Sequence, residues 1–116
     1  MRSVNNALFR LSKSKFRSSF VLKDKEKSYY IEKGEEVIRS HAKDFISTKI
    51  AAETPKNDGK QTPTHGHPVF VAMHATACCC RGCLEKWHKI PRGRELNTEE
   101  KNFLVDLIMA WIARQV

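Results

Sequence analysis

The C-terminal stretch constrains the fold of this chain more than any other. In "NTEEKNFLVDLIMAWIARQ", Phe103, Leu104, Leu107, Ile108, Trp111 and Ile112 recur at i, i+1, i+4, i+5, i+8 and i+9. That is a broad apolar stripe at the α-helical period, and a helix carrying it must be packed against others. Asn97 stands where an N-cap is needed and Glu100 three residues on, a capping-box arrangement. Trp111 falls within the stripe and reads as packing rather than as a functional aromatic.

Other stretches pack against such a helix in the same manner. "VNNALFRLS" spaces Val4, Leu8 and Leu11 helically. "KSKFRSSFVL" is ambiguous, reading as a turn and a short extended piece. Asp24 reads as the N-cap of "KEKSYYIEK", with Gly34 as its stop. In "EEVIRSHAKDFISTKIAA", Val37, Ile38, His41, Phe45 and Ile46 share a side, and His41 reads as a core histidine with one hydrogen bond. Residues 53–68, "ETPKNDGKQTPTHGHP", hold three prolines, two glycines and the turn signal Asn57-Asp58-Gly59. They predict a loop long enough to suggest a function. "VFVAMHATA" is a strand or a buried helix, which periodicity cannot decide, and "CCRGCLEKWHKI" predicts a helix ending before Pro91. The expectation is one mainly α-helical domain over residues 1–116: a compact bundle of four to five helices, with the long loop leading into a Cys/His-rich segment.

The composition suits a globular protein: 41% of its 116 residues are hydrophobic and 29% charged. No apolar run approaches the roughly 18 residues of a membrane span. The N-terminus is basic, serine-rich and free of acids, but it lacks the apolar core of a secretory signal and reads as part of the domain. Cys78, Cys79 and Cys80 are consecutive, which makes a poor disulfide framework and points to a reducing, cytoplasmic setting. The net charge of +8 is concentrated in the first half. Arg10, Lys13, Lys15 and Arg17 lead a basic run suited to nucleic acid or another acidic partner through counterion release. A solvated helix face that keeps a small protein soluble accounts for the same run. Phe9, Phe16 and Phe20, interleaved with it, read as core anchors rather than as base-stacking platforms.

The chemistry concentrates in "HGHPVFVAMHATACCCRGCLEKWH", residues 65–88, which holds all four cysteines and four of the five histidines. Cys80-x-x-Cys83 brings two thiolates onto one helix face, half of a tetrahedral site. If the helix starts at Cys80, Cys83 lies about 60° round from it and His88 about 140° from Cys83. Partners therefore rank as His74, then His67, then His88 and Cys79. Zinc is the expected ion, and an iron–sulfur cluster is the weaker option because the spacing matches no standard run. Thiol-redox chemistry competes, with Arg81 and the helix N-terminus activating a thiolate. So does a metal-dependent hydrolytic enzyme using Glu85 or His88, although Glu85 reads better as a solvated residue. Small buried hydrophobes are the plain alternative. The deaminase signature His-x-Glu before the cysteines is absent, and "HKIPRGREL" only partly matches a DNA-binding hairpin turn.

On "NDGKQTP", "GHPVF", "HATA", "CCRGCLEKWH" and "GREL" the chain resembles a family of small uncharacterised bacterial proteins catalogued as a domain of unknown function. The resemblance runs from "FRSSF" to "AWIARQ". It implies a full-length single-domain protein and supplies no activity. The family pattern carries threonine at the position of Cys78, which implies that any shared site uses Cys79, Cys80 and Cys83. Arg81, Trp87 and His88 also match, which favours His88 against the helical geometry.

Overall fold

A computed structural model describes residues 2–116. Its centre is α7, Thr98–Gln115. The predicted capping box starts this helix: Asn97 Oδ1 accepts the Glu100 amide at 2.8 Å, and Glu100 Oε1 accepts the Asn97 amide at 2.9 Å. Glu100 is almost fully buried and also receives two hydrogen bonds from Arg94, at 2.8 and 2.6 Å. The helix buries Val105 and Met109 besides the predicted stripe, so it is covered on nearly all sides.

Around it lie α1 (Val4–Ser12), α4 (Glu35–Phe45) and α5 (Pro68–Ala75), each packed on α7. Helices α2 (Lys15–Ser18), α3 (Asp24–Lys33) and α6 (Arg81–His88) complete the set. The protein is mainly α-helical, with no strand among the described residues. The expected four to five helices become seven α-helices and one π-helical turn among those residues, because short polar caps create helices that apolar periodicity does not mark. Ser14 Oγ accepts the Arg17 amide at 3.1 Å and turns the ambiguous "KSKFRSS" into α2. His67 Nδ1 accepts the Val69 amide at 3.0 Å, and with Pro68 in the first turn this settles "VFVAMHA" as helix α5. The cap of α3 is Lys23 rather than Asp24, with Glu26 Oε1 accepting the Lys23 amide at 2.8 Å. Gly34, at φ +88°, separates α3 from α4.

The helix after Gly34 does not run on as one regular α-helix. It passes into the π turn Ile46–Ile50, closed by the Ala51 amide on the Ile46 carbonyl at 2.9 Å, and both isoleucines are fully buried. The long loop follows and is anchored at several points. Asp58 Oδ1 accepts the Arg81 amide at 2.9 Å, and Thr62 Oγ1 donates to the Cys79 carbonyl at 2.9 Å. The loop is thus stapled over the start of α6. The expectation that Phe9 and Phe16 anchor the core is corrected: they are 63% and 61% exposed, while Phe20 is partly buried. Helix α1 turns Ala7, Leu8 and Leu11 inward, which leaves Phe9 on its outer face.

Candidate metal centre

Two turns sort the consecutive cysteines. Helix α5 ends in a Schellman motif, with Ala77 in the left-handed region (φ 58°) and the Cys78 amide on the Met73 carbonyl at 2.7 Å. That motif drives Cys78 into the core, where it is fully buried and its thiol is pushed up to about 12 by burial. The chain then extends, and Cys80 becomes the N-cap of α6, its Sγ accepting the Cys83 amide at 3.4 Å. Cys79 thereby comes to face Cys83, their sulfurs 3.6 Å apart. The Sγ atoms of Cys79, Cys80 and Cys83 lie within 4.8 Å of one another. These three cysteines could hold a metal ion.

The cation at the thiols is Arg17, brought from α2. Its Nη2 lies 3.1 Å from Cys83 Sγ and its Nη1 3.8 Å from Cys79 Sγ, while Nη1 also donates to the His74 carbonyl at 2.7 Å. Burial opposes the charge of Arg17, but the hydrogen bonds to Cys83 and Cys79 outweigh it and raise its pKa. Its guanidinium also lies over the Phe16 and Trp87 rings. Cys79 and Cys83 share one proton unequally. The hydrogen bond with Cys83 pulls the Cys79 pKa down against the effect of burial, with help from Arg17. The same contact, together with burial, pushes Cys83 up. Burial also raises Cys80. Of these three thiols, Cys79 alone is shifted toward the thiolate.

Among the described residues, the predicted histidines do not converge with these sulfurs. His74 turns its Nε2 to the Thr62 carbonyl at 3.0 Å and stacks on Phe20, although its backbone carbonyl touches the centre through Arg17. His67 sits in a separate aromatic pocket, its Nε2 3.0 Å from His41 Nδ1, walled by Tyr29, Phe45 and Phe70. His88, at the end of α6, hydrogen bonds through Nε2 to the Thr76 carbonyl at 2.8 Å. Arg81, expected beside a thiolate, points the other way. Its guanidinium donates to the carbonyls of Ile50, Ala52, Arg94 and Pro91. The basic run divides as well: Arg10, Lys13 and Lys15 are exposed, whereas Arg17 is 8% exposed and turned to the thiols. Nothing in the local sequence sets Arg17 apart from Arg10, Lys13 and Lys15, which equally lack acidic neighbours.

Fold and site together define a mainly α-helical protein with a three-cysteine centre that could hold a metal ion. No helix among the described residues is long and apolar enough to cross a membrane. The chain belongs to the family described as "Domain of unknown function (DUF4186)", whose model matches residues 5–113. No solved structure matches the chain.

Proposed function

We propose that this is a small cytoplasmic metal-binding protein in which Cys79, Cys80 and Cys83 hold zinc as thiolates. The observation that carries the reading is the convergence of the three sulfurs within 4.8 Å. Sulfurs at about 2.3 Å from a tetrahedral zinc lie about 3.8 Å apart. The Cys79–Cys83 separation of 3.6 Å already fits, and modest contraction would seat Cys80. Three thiolates around a divalent ion leave one negative charge, which Arg17 offsets. Three protein ligands also leave a coordination position for a further group. The test is metal analysis on untagged, reduced protein. About one equivalent of zinc is expected, lost in C79S, C80S and C83S and kept in C78S. Failure to bind zinc or cobalt(II) under reducing conditions would remove the reading.

The lowered pKa of Cys79 supports a second reading, thiol chemistry. The Cys79 thiolate would attack a substrate disulfide and Cys83 would resolve the mixed disulfide, forming a Cys79–Cys83 bond and releasing two substrate thiols. A rate of alkylation that shows no thiolate below the ordinary cysteine range of about 8.5 would count against it. For the partner, the exposed cations Arg10, Lys13 and Lys15 form a basic face that suits a nucleic acid or another acidic partner. Binding that does not weaken with salt would exclude this use of the face.

A further inference from the structure

The sulfurs of Cys79 and Cys83 face each other at 3.6 Å. A disulfide needs about 2.05 Å, so the pair has about 1.5 Å left to close. Cys80 is differently placed. Its Sγ accepts the Cys83 amide at 3.4 Å and caps α6. A bond between Cys79 and Cys83 leaves that sulfur free to cap the helix.

The same two sulfurs hold Arg17. Its Nη2 lies 3.1 Å from Cys83 Sγ and its Nη1 3.8 Å from Cys79 Sγ. The other acceptor of its guanidinium is the His74 carbonyl, at 2.7 Å. Among the described residues no carboxylate bonds it. Arg17 is 8% exposed, and it is the one buried residue of the four-residue helix α2. The side chain that anchors α2 therefore depends on sulfur acceptors. A thiolate meets the guanidinium with charge, whereas a disulfide sulfur is neutral and accepts only weakly. A buried cation left with one carbonyl is poorly compensated for the water it has lost.

We propose that Cys79 and Cys83 form a redox switch whose disulfide state releases Arg17 and, with it, helix α2. The inference rests on the thiol reading of the centre and needs no metal there. A small hydroperoxide suits as oxidant, since Cys79 is 7% exposed. The Cys79 sulfur attacks one peroxide oxygen. The O–O bond breaks, hydroxide leaves and is protonated to water, and Cys79 becomes a sulfenic acid. The Cys83 sulfur, its proton passing to solvent, attacks the Cys79 sulfur. The S–O bond breaks and a second water leaves. Two thiols are thereby oxidised to one disulfide, and one hydrogen peroxide is reduced to two waters. Because α2 also carries the exposed Lys15, the oxidation state of the sulfurs sets the shape of the basic face.

The test treats the reduced protein, freed of metal by a chelator, with stoichiometric hydrogen peroxide at neutral pH. Peptide mapping is expected to find a Cys79–Cys83 disulfide. Hydrogen exchange of the amides of residues 14–20 should quicken about tenfold or more, with α7 unchanged. C80S should behave as wild type, although it removes a proposed zinc ligand. C83S should form no such bond and keep slow exchange. Arg17→Gln should exchange fast over residues 14–20 in both states. Absence of a Cys79–Cys83 disulfide overturns the proposal together with the thiol reading. A disulfide that leaves exchange of residues 14–20 unchanged overturns the proposal alone, as does slow exchange there in reduced Arg17→Gln.

Discussion

Arg81 is predicted to be the structural keystone of the thiol centre, and its substitution gives a sharp test. Its side chain is 1% exposed. Nη1 donates to the Ala52 and Arg94 carbonyls at 2.9 Å each and to Ile50 at 3.4 Å, and Nη2 donates to Pro91 at 2.7 Å. One side chain thus ties the end of the π turn, the start of the long loop and the turn before α7 to the first residue of α6. Arg81→Met retains much of the stem's packing and removes every donor. Hydrogen bonds to charged groups contribute about 1.5–3 kcal/mol each, and part of that returns as the rim carbonyls meet water. With three short bonds lost, the net destabilisation should be about 3–5 kcal/mol. For a chain of this length that lowers the melting temperature by about 12–20 °C. Arg81→Lys keeps the charge but cannot reach four carbonyls from one ammonium, so it should fall between wild type and Arg81→Met. Urea unfolding with an unchanged m-value measures both variants. An Arg81→Met protein within about 1 kcal/mol of wild type, or one more stable than Arg81→Lys, would refute the reasoning.

Other expectations follow from the same structure. Cys78, with no exposed surface, should be the last of the four cysteines to react with a thiol reagent, its equivalent appearing only on unfolding. Arg17→Gln removes the cation beside Cys79, so alkylation at pH 7 should slow several-fold without a loss of helical signal; an unchanged rate would show that Arg17 does not hold the thiolate. His67 and His88 are both lowered to about 4, each by burial first, with His41 next for His67. The unfolded chain takes up these protons from about pH 6.5 downward, so stability should be intact above that value and fall toward pH 4, by at most about 3 kcal/mol per histidine. His88→Gln should flatten that profile, as read from urea midpoints across the range. Glu100, lowered to about 2 first by its hydrogen bonds with Arg94, weakens the fold in a separate window, as pH falls below its ordinary carboxylate range toward 2.

The sequence was most legible where one local rule governs an element. The Asn97–Glu100 box, the Gly34 break and the stripe of α7 involve residues a few positions apart, and each appears as read. The loop was legible from its prolines and glycines, but not its anchoring, because Asp58 reaches a backbone amide 23 residues away. In the centre, the Cys-x-x-Cys spacing placed Cys80 and Cys83 together, while geometry ranked Cys79 last beside His88 and only the family resemblance implied it. Helical geometry was applied from Cys80 onward, whereas Cys79 lies before the cap and reaches Cys83 from outside the helix. The assignment of Arg81 to a thiolate followed from adjacency in the chain. Yet a residue at the first position of α6 turns its side chain away from the cap sulfur, and the arginine that reaches the thiols lies 62 and 66 residues upstream. Exposure of Phe9 was hidden for a related reason. Its spacing is compatible with a buried face, but Leu8 and Leu11 already occupy the side of α1 that meets α7.

The division of labour between the two arginines bears on what the centre can do. Arg81 donates to carbonyls, so it fixes the N-terminus of α6 without a hydrogen bond to the sulfurs. Arg17 binds sulfurs and sits on the short helix α2, whose one buried residue is Arg17 itself. The scaffold of the thiols and their countercharge are therefore supplied by different parts of the chain. Displacing α2 would remove the positive charge while leaving Cys79, Cys80 and Cys83 in place. The pKa of Cys79 would then rise, and a three-thiolate site would lose the partner for its excess negative charge. On this arrangement Arg17→Gln should weaken zinc binding while C78S does not, although Cys78 is the nearer residue in sequence. Equal zinc affinity in Arg17→Gln and wild type, measured by competition with a chelator under reducing conditions, would show that the thiolates need no countercharge from α2.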